Sequence, residues 1–211
     1  MKPKIKVCGM KYGDNIKEVA ALAPDYMGFI FYPKTKRYVG ELDELLLKDL
    51  GDIKKVAVVV NTSVAEIEEK VKRYGFDYVQ LHGDETAGFC KELKEKGIHI
   101  IKAFQVDDAF DFKLVDAYKP YCDFFLFDTK SKGYGGAGKS FNWEVLKRYD
   151  NEIPFFLSGG IGLENVEEIK KLKGLNIHAL DINSRFEIEP ALKDTDKIKE
   201  FIKLANYEIY C

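Results

Sequence analysis

The chain is poor in the residues that metal and disulfide chemistry require. Its four cysteines, Cys8, Cys90, Cys122 and Cys211, are scattered over 211 residues with no CxxC pair. That spacing is neither a zinc pattern nor a disulfide framework, and it fits reduced thiols in a cytoplasm. Only three histidines occur, His82, His99 and His178. The formal net charge is −2 and basic residues form no block, which excludes a large electrostatic footprint for nucleic acid. No apolar run approaches membrane-spanning length, and the opening residues MKPKIKVCGMK hold no apolar stretch of signal-peptide length. The expectation is a cytoplasmic chain with neither a membrane nor a nucleic acid as partner.

What the chain has is alternation. Short apolar runs recur from end to end, separated by amphipathic segments: residues 5–8, 26–32, 56–60, 77–81, 98–104, 124–127, 154–157 and 178–182 read as strands. Between them lie helical patterns. Asp14 reads as a cap for the first, Ser63 and Glu66 have capping-box spacing, Gly75 ends that helix, and Asn142 and Asp194 read as later caps. Eight strand–helix units without a domain-boundary linker predict an α/β fold, a single (β/α)8 barrel domain over residues 1–211 with eight parallel strands. An open doubly wound sheet is the alternative, disfavoured because no dinucleotide fingerprint follows the first strand.

A barrel supplies a positional test, since its active site lies at the C-terminal ends of the strands. Cys8 ends strand one, Arg37 follows strand two, and Asn61 follows strand three. Gln80 and His82 end strand four, and Asp128 ends strand six. His99, Cys122 and His178 fall at strand starts, on the opposite face. Each residue also has an ordinary reading: Cys8 as core, Arg37 as a solvated charge, Asp128 as a loop cap, His82 as a satisfied core histidine. Their convergence on one rim favours a site. Ser158-Gly159-Gly160 after strand seven and Asn183-Ser184 after strand eight occupy the loops where barrels commonly bind phosphate. Gly133 to Ser140 fits the phosphate-loop string GxxxxGK[ST]. However, it is separated from its strand by Thr129 to Lys132, and the following helix starts only at Asn142. A glycine-rich barrel loop able to close over a ligand is the preferred reading.

The ordered segments KVCGM, GFIFYPKTKRYV, VAVVVN, VQLHGDE, DTKSKGYGGAGKSFNW, LSGGIGLENV and ALDINSRFEIEPALKD together resemble the phosphoribosylanthranilate isomerases of tryptophan biosynthesis. The resemblance spans essentially the whole chain. It implies an Amadori rearrangement of a phosphosugar substrate without cofactor or metal, by a monomer or homodimer. Carried over by position, it makes Cys8 the general base, Asp128 the general acid and Arg37 the holder of a carboxylate. Gln80 and His82 would touch the substrate, and Ser158, Gly159, Gly160, Asn183 and Ser184 its phosphate. Two departures stand out. Arg185 replaces a frequent glycine, which puts the geometry of loop eight in doubt, and Ala191 replaces another with less obvious consequence. A metal-dependent phosphosugar epimerase is the rival enzyme and a catalytically silent barrel the non-enzymatic one. The former would need several histidines at the rim, where only His82 is expected.

Overall fold

The structure, a computed structural model, describes residues 3–129 and 142–208. The eight apolar runs become β1 (Lys4–Cys8), β2 (Tyr26–Ile30), β3 (Lys54–Val59), β4 (Tyr78–Leu81), β5 (Ile100–Val106), β6 (Phe124–Thr129), β7 (Phe155–Leu157) and β8 (Ile177–Ile182). Each pairs in parallel with its neighbour, and β8 pairs back to β1 to close the barrel. Successive side chains on a strand point to opposite faces, so each run divides between two cores. Val7, Phe29, Val59, Leu81, Phe125, Phe127, Leu157 and Leu180 face outward beneath the helices. Cys8, Tyr26, Val56, Val58, Ile101, Ala103, Leu126, Phe156 and Ala179 fill the bore.

Outside the barrel lie α1 (Gly13–Ala20), α2 (Glu44–Lys48), α3 (Val64–Tyr74), α4 (Ala87–Glu95), α5 (Val166–Lys170) and α6 (Thr195–Glu208). The capping box at Ser63 and Glu66 forms as expected, and Gly75 closes α3 in the left-handed region at φ 64°. Asn142 and Asp194 also accept from backbone N–H groups, of Glu144 and Lys197. Asp14 does not cap: α1 begins at Gly13, which places Asp14 inside the first turn.

Two of the expected helices are 3-10 stretches instead, Phe112–Tyr118 after β5 and Trp143–Arg148 after β6. Their apolar residues explain the difference. Phe112, Val115 and Tyr118, and likewise Trp143, Leu146 and Tyr149, repeat every third residue, and side chains three apart eclipse in a 3-10 helix. A sequence period of three therefore satisfies the barrel wall with the tighter coil.

A small hairpin not foreseen from the sequence follows β8: β9 (Glu187–Glu189) and β10 (Leu192–Lys193). Its turn places Ala191 at φ 73°, whereas Arg185 adopts no left-handed conformation and sits in a 3-10 turn, Ser184–Phe186. The doubt about glycine replacement thus belongs to Ala191. A left-handed alanine costs about 1–2 kcal/mol, so Ala191→Gly is expected to raise unfolding stability by about 1 kcal/mol after the buried methyl is lost. Urea denaturation of the two proteins measures the difference.

The bottom of the bore is aromatic, with Tyr26, Tyr78, Phe124 and Phe156 around the barrel axis. His178 lies at this end, as expected: its Nε2 is 2.7 Å from the Tyr26 hydroxyl and its ring is 4.1 Å from that of Phe124. Burial, reinforced by Lys4, pulls its pKa down to about 4. The unfolded chain has an ordinary imidazole of pKa ~6.5 and binds the extra proton first. Stability contributed by the neutral ring is therefore present above pH ~6.5 and lost as pH falls toward 4. For a half-buried ring the loss is about 1–2 kcal/mol after screening. Urea midpoints at neutral and acid pH should converge more in His178→Phe than in wild type.

Candidate active site

A cleft of about 800 Å³, partly open to solvent, occupies the C-terminal end of the barrel. All ten residues placed at the site from sequence line it: Cys8, Arg37, Gln80, His82, Asp128, Ser158, Gly159, Gly160, Asn183 and Ser184. Asn61 does not. Its Oδ1 accepts from Asp84 N at 2.8 Å, and its own N–H donates to Glu85 Oε1 at 2.8 Å. Asn61 therefore ties the loop after β3 to the loop after β4. Buried Lys102 completes this tie, donating to Glu85 Oε2 at 3.0 Å and to Gly83 O at 2.8 Å. His82 thus projects from an anchored loop.

The floor of the cleft is charged. Lys6 lies two residues before Cys8, so both point into the bore. The Lys6 ammonium donates to Asp181 Oδ1 at 2.9 Å and, across the barrel, to Gln80 Oε1 at 2.8 Å. Burial alone would strip its proton, but the Asp181 carboxylate and Cys8 outweigh that and hold its pKa above the ordinary value. The same ammonium is among the charges that act on Cys8. Burial pushes the Cys8 thiol up, while Lys6 and Lys193 pull it back. Positive charge thus stands beside this thiol, though burial prevails over it in the free protein. Room for the sulfur comes from Gly28 on the adjacent strand, where a Cβ would stand 2.8 Å from Cys8 Sγ.

Asp128 stands at the end of β6 and is 8% exposed. Its Oδ1 accepts from Thr129 N at 2.9 Å. Its Oδ2 lies 3.5 Å from His82 Nε2. The other His82 nitrogen, Nδ1, is 2.8 Å from Gln80 Nε2. Gln80 lines the cleft, but both ends of its amide are engaged by protein partners.

Arg37 is not a bare cation. Its Nε and Nη2 grip Glu187 in a two-pronged pair, at 2.8 and 2.6 Å. Hydrogen bonding to Glu187 raises the guanidinium pKa further. Lys193 joins the cluster, donating to Glu187 Oε1 at 2.8 Å and to Asn183 Oδ1 at 2.7 Å. Two cations around one carboxylate leave this wall of the cleft positive.

Beside this wall lies the loop after β8, and next to it the loop after β7. Gly159 and Gly160 have φ of 87° and 75°, and a Cβ on Gly159 would meet Thr129 Oγ1. No other residue fits there without moving the end of β6. Asn165 fastens the loop, accepting from Gly162 N at 2.9 Å and donating to Gly160 O at 2.7 Å. Among the described residues, none accepts from the backbone N–H groups of Gly159, Gly160, Asn183 or Ser184. Also among them, no three of His, Cys, Asp or Glu are grouped as metal ligands. The glycine-rich stretch 133–140, with the phosphate-loop string and the lid idea, lies outside the described residues, as do Cys211 and its two preceding residues.

Residues 5–204 match the family model of N-(5'-phosphoribosyl)anthranilate isomerase. The chain belongs to this isomerase family. An N-(5'-phosphoribosyl)anthranilate isomerase of Parabacteroides distasonis is 46% identical, over 94% of this chain and 91% of that one. The crystal structure of the phosphoribosylanthranilate isomerase of Thermotoga maritima superposes with a TM-score of 0.83 at 31% identity, covering 97% and 98% of the two chains. A further phosphoribosylanthranilate isomerase structure, in complex with reduced 1-(o-carboxyphenylamino)-1-deoxyribulose 5-phosphate, superposes with a TM-score of 0.80 at 28% identity, covering 97% and 98%.

Within the isomerase fold, Asp181 and Thr129 line the cleft without a sequence expectation, and Lys6, Glu187 and Lys193, equally without one, stand behind it, bonded to lining residues. A signal existed for one of them, because Lys6 shares the inward face of β1 with Cys8. The departure at Arg185 is also resolved. Its guanidinium pairs with Glu164 from the loop after β7, and Arg185 is absent from the cleft lining.

Proposed function

We propose that the chain isomerises N-(5'-phosphoribosyl)anthranilate to 1-(2-carboxyphenylamino)-1-deoxyribulose 5-phosphate, the Amadori step of tryptophan biosynthesis, in the cytoplasm. Family membership supports the reaction, and one observation supports the division of labour: a buried thiol and a carboxylate from β1 and β6 line the same cleft. Asp128 gives a proton to the ring oxygen, the C1′–O bond breaks, and the amine lone pair forms the imine. The Cys8 thiolate takes the C2′ proton, and the electron pair becomes the C1′=C2′ bond of an enolamine. Loss of the enol proton and protonation at C1′ give the ketone, so no proton or electron is gained overall. The positive charge of the Lys6 ammonium favours the thiolate when it forms.

The positive wall suits the anthranilate carboxylate. Arg37 keeps Nη1 free of partners among the described residues, so Glu187 can hold the guanidinium still while Nη1 receives the substrate. The unengaged backbone N–H groups of the last two loops suit the phosphate. Arg37→Ala is expected to raise KM by roughly 10-fold or more with kcat changed far less, because it contacts a group that does not react. Steady-state kinetics give the split, and an unchanged KM would remove Arg37 from the carboxylate site. The function itself is tested by adding purified protein to N-(5'-phosphoribosyl)anthranilate and following its fluorescence. Enzyme-proportional loss of signal is expected; a stable signal overturns the reading.

A further inference from the structure

Gln80 joins the two ends of the cleft in a way that the reaction scheme leaves unused. Amide oxygen and nitrogen are nearly indistinguishable by shape, so the orientation of a glutamine follows from its partners. One partner of Gln80 is the Lys6 ammonium, 2.8 Å away, which can only donate. The amide oxygen must face it, which sends the NH₂ group toward His82 Nδ1 at 2.8 Å. Two donors cannot satisfy each other across that distance, so Nδ1 must be the acceptor nitrogen of the ring. The neutral ring then carries its proton on Nε2, the nitrogen 3.5 Å from Asp128 Oδ2. Lys6 is itself held by Asp181, so the orientation starts from a buried ion pair.

We propose that Gln80, oriented by Lys6, is a positioning residue that sets the tautomer of His82 so that an N–H, not a lone pair, faces Asp128. The opposite tautomer would aim a nitrogen lone pair at a carboxylate oxygen and push the Asp128 side chain away from its place at the end of β6. With Nε2 protonated, Thr129 N steadies one oxygen of Asp128 and His82 steadies the other. Asp128 is then held in one orientation before substrate arrives.

The test is nitrogen-15 NMR of the ligand-free protein, recorded where the ring is uncharged. Three histidines make assignment simple, with His82→Gln removing the resonance in question. The expected spectrum shows His82 with a protonated Nε2 and an unprotonated Nδ1. Gln80→Glu supplies the contrary instruction. A carboxylate accepts both from Lys6 and from His82 Nδ1–H, so the proton is expected to move to Nδ1, with kcat falling roughly 10-fold and KM little changed. Wild-type protein with the proton on Nδ1, or Gln80→Glu with the tautomer unmoved, would overturn the proposal. The kinetic arm rests on the isomerase reading, but the tautomer is read without substrate. A wrong reaction and a wrong tautomer are therefore distinguishable.

Discussion

Asp128→Asn and Cys8→Ala are each expected to lower kcat by roughly 10²–10⁴-fold, the usual worth of a positioned acid or base, with KM changed only a few-fold. Asparagine keeps an oxygen for the Thr129 N–H and fills the same space, but it has no proton to give to the ring oxygen. Alanine at residue 8 leaves a small void beside Gly28 and no group able to take the C2′ proton. The proposed scheme uses both groups in series, so the double variant should be little slower than the worse single one. Additive losses would point to independent routes. Circular dichroism and urea midpoints check that the variants stay folded.

Lys6→Met is expected to carry the largest cost in stability. Lys6 and Asp181 are paired in the bore with side chains 0% and 5% exposed. Removing the ammonium leaves a carboxylate buried without its counter-charge, and breaking such a pair by one partner costs about 3–5 kcal/mol. Gln80 Oε1 loses its donor, and Cys8 its nearby cation, in the same step. Removing both charges relieves the burden, so Lys6→Met with Asp181→Leu should recover most of the stability while activity stays low. Urea unfolding of wild type, the single variant and the double variant measures this. A single variant as stable as wild type would mean that Asp181 is not held ionised by Lys6.

The barrel and the rim were legible because both follow from period. Apolar runs at regular spacing announce strands, and the last residues of parallel strands must gather at one end of a closed barrel. Cys8, His82 and Asp128 were therefore found together without knowledge of any contact between them. The floor of the cleft was not legible. A lysine in KIKVC reads as a solvated charge at the mouth of a strand, and the partner that makes it a buried ion, Asp181, lies 175 residues away. Pairing across a closing barrel is set by register, Lys6 against Asp181, which one strand's sequence does not carry. The Arg37 pair was hidden for a similar reason. Glu187 begins a hairpin whose strands, Glu187–Glu189 and Leu192–Lys193, are too short for any periodic signal. The helices that became 3-10 stretches held their signal in plain view, since an apolar interval of three is a different period from 3.6.

The departures from the family pattern changed meaning once placed. Arg185 suggested trouble for the backbone; it adopts an ordinary conformation and pairs with Glu164. Ala191 suggested little, yet it carries the left-handed φ. A glycine-to-other replacement is informative only where the conformation is known.

In the proposed order of events, Asp128 opens the ring and Cys8 acts afterwards. Borodeuteride trapping tests that order most directly, because it leaves the closed furanose intact and marks a reduced imine with deuterium at C1′, whereas reduction of the product ketone marks C2′. Incubated with N-(5'-phosphoribosyl)anthranilate and borodeuteride, Cys8→Ala should accumulate the open-chain amine labelled at C1′, since ring opening survives and the next step does not. Asp128→Asn should yield no more of it than a protein-free control. Trapped amine from Asp128→Asn, with none from Cys8→Ala, would contradict the assignment of acid and base.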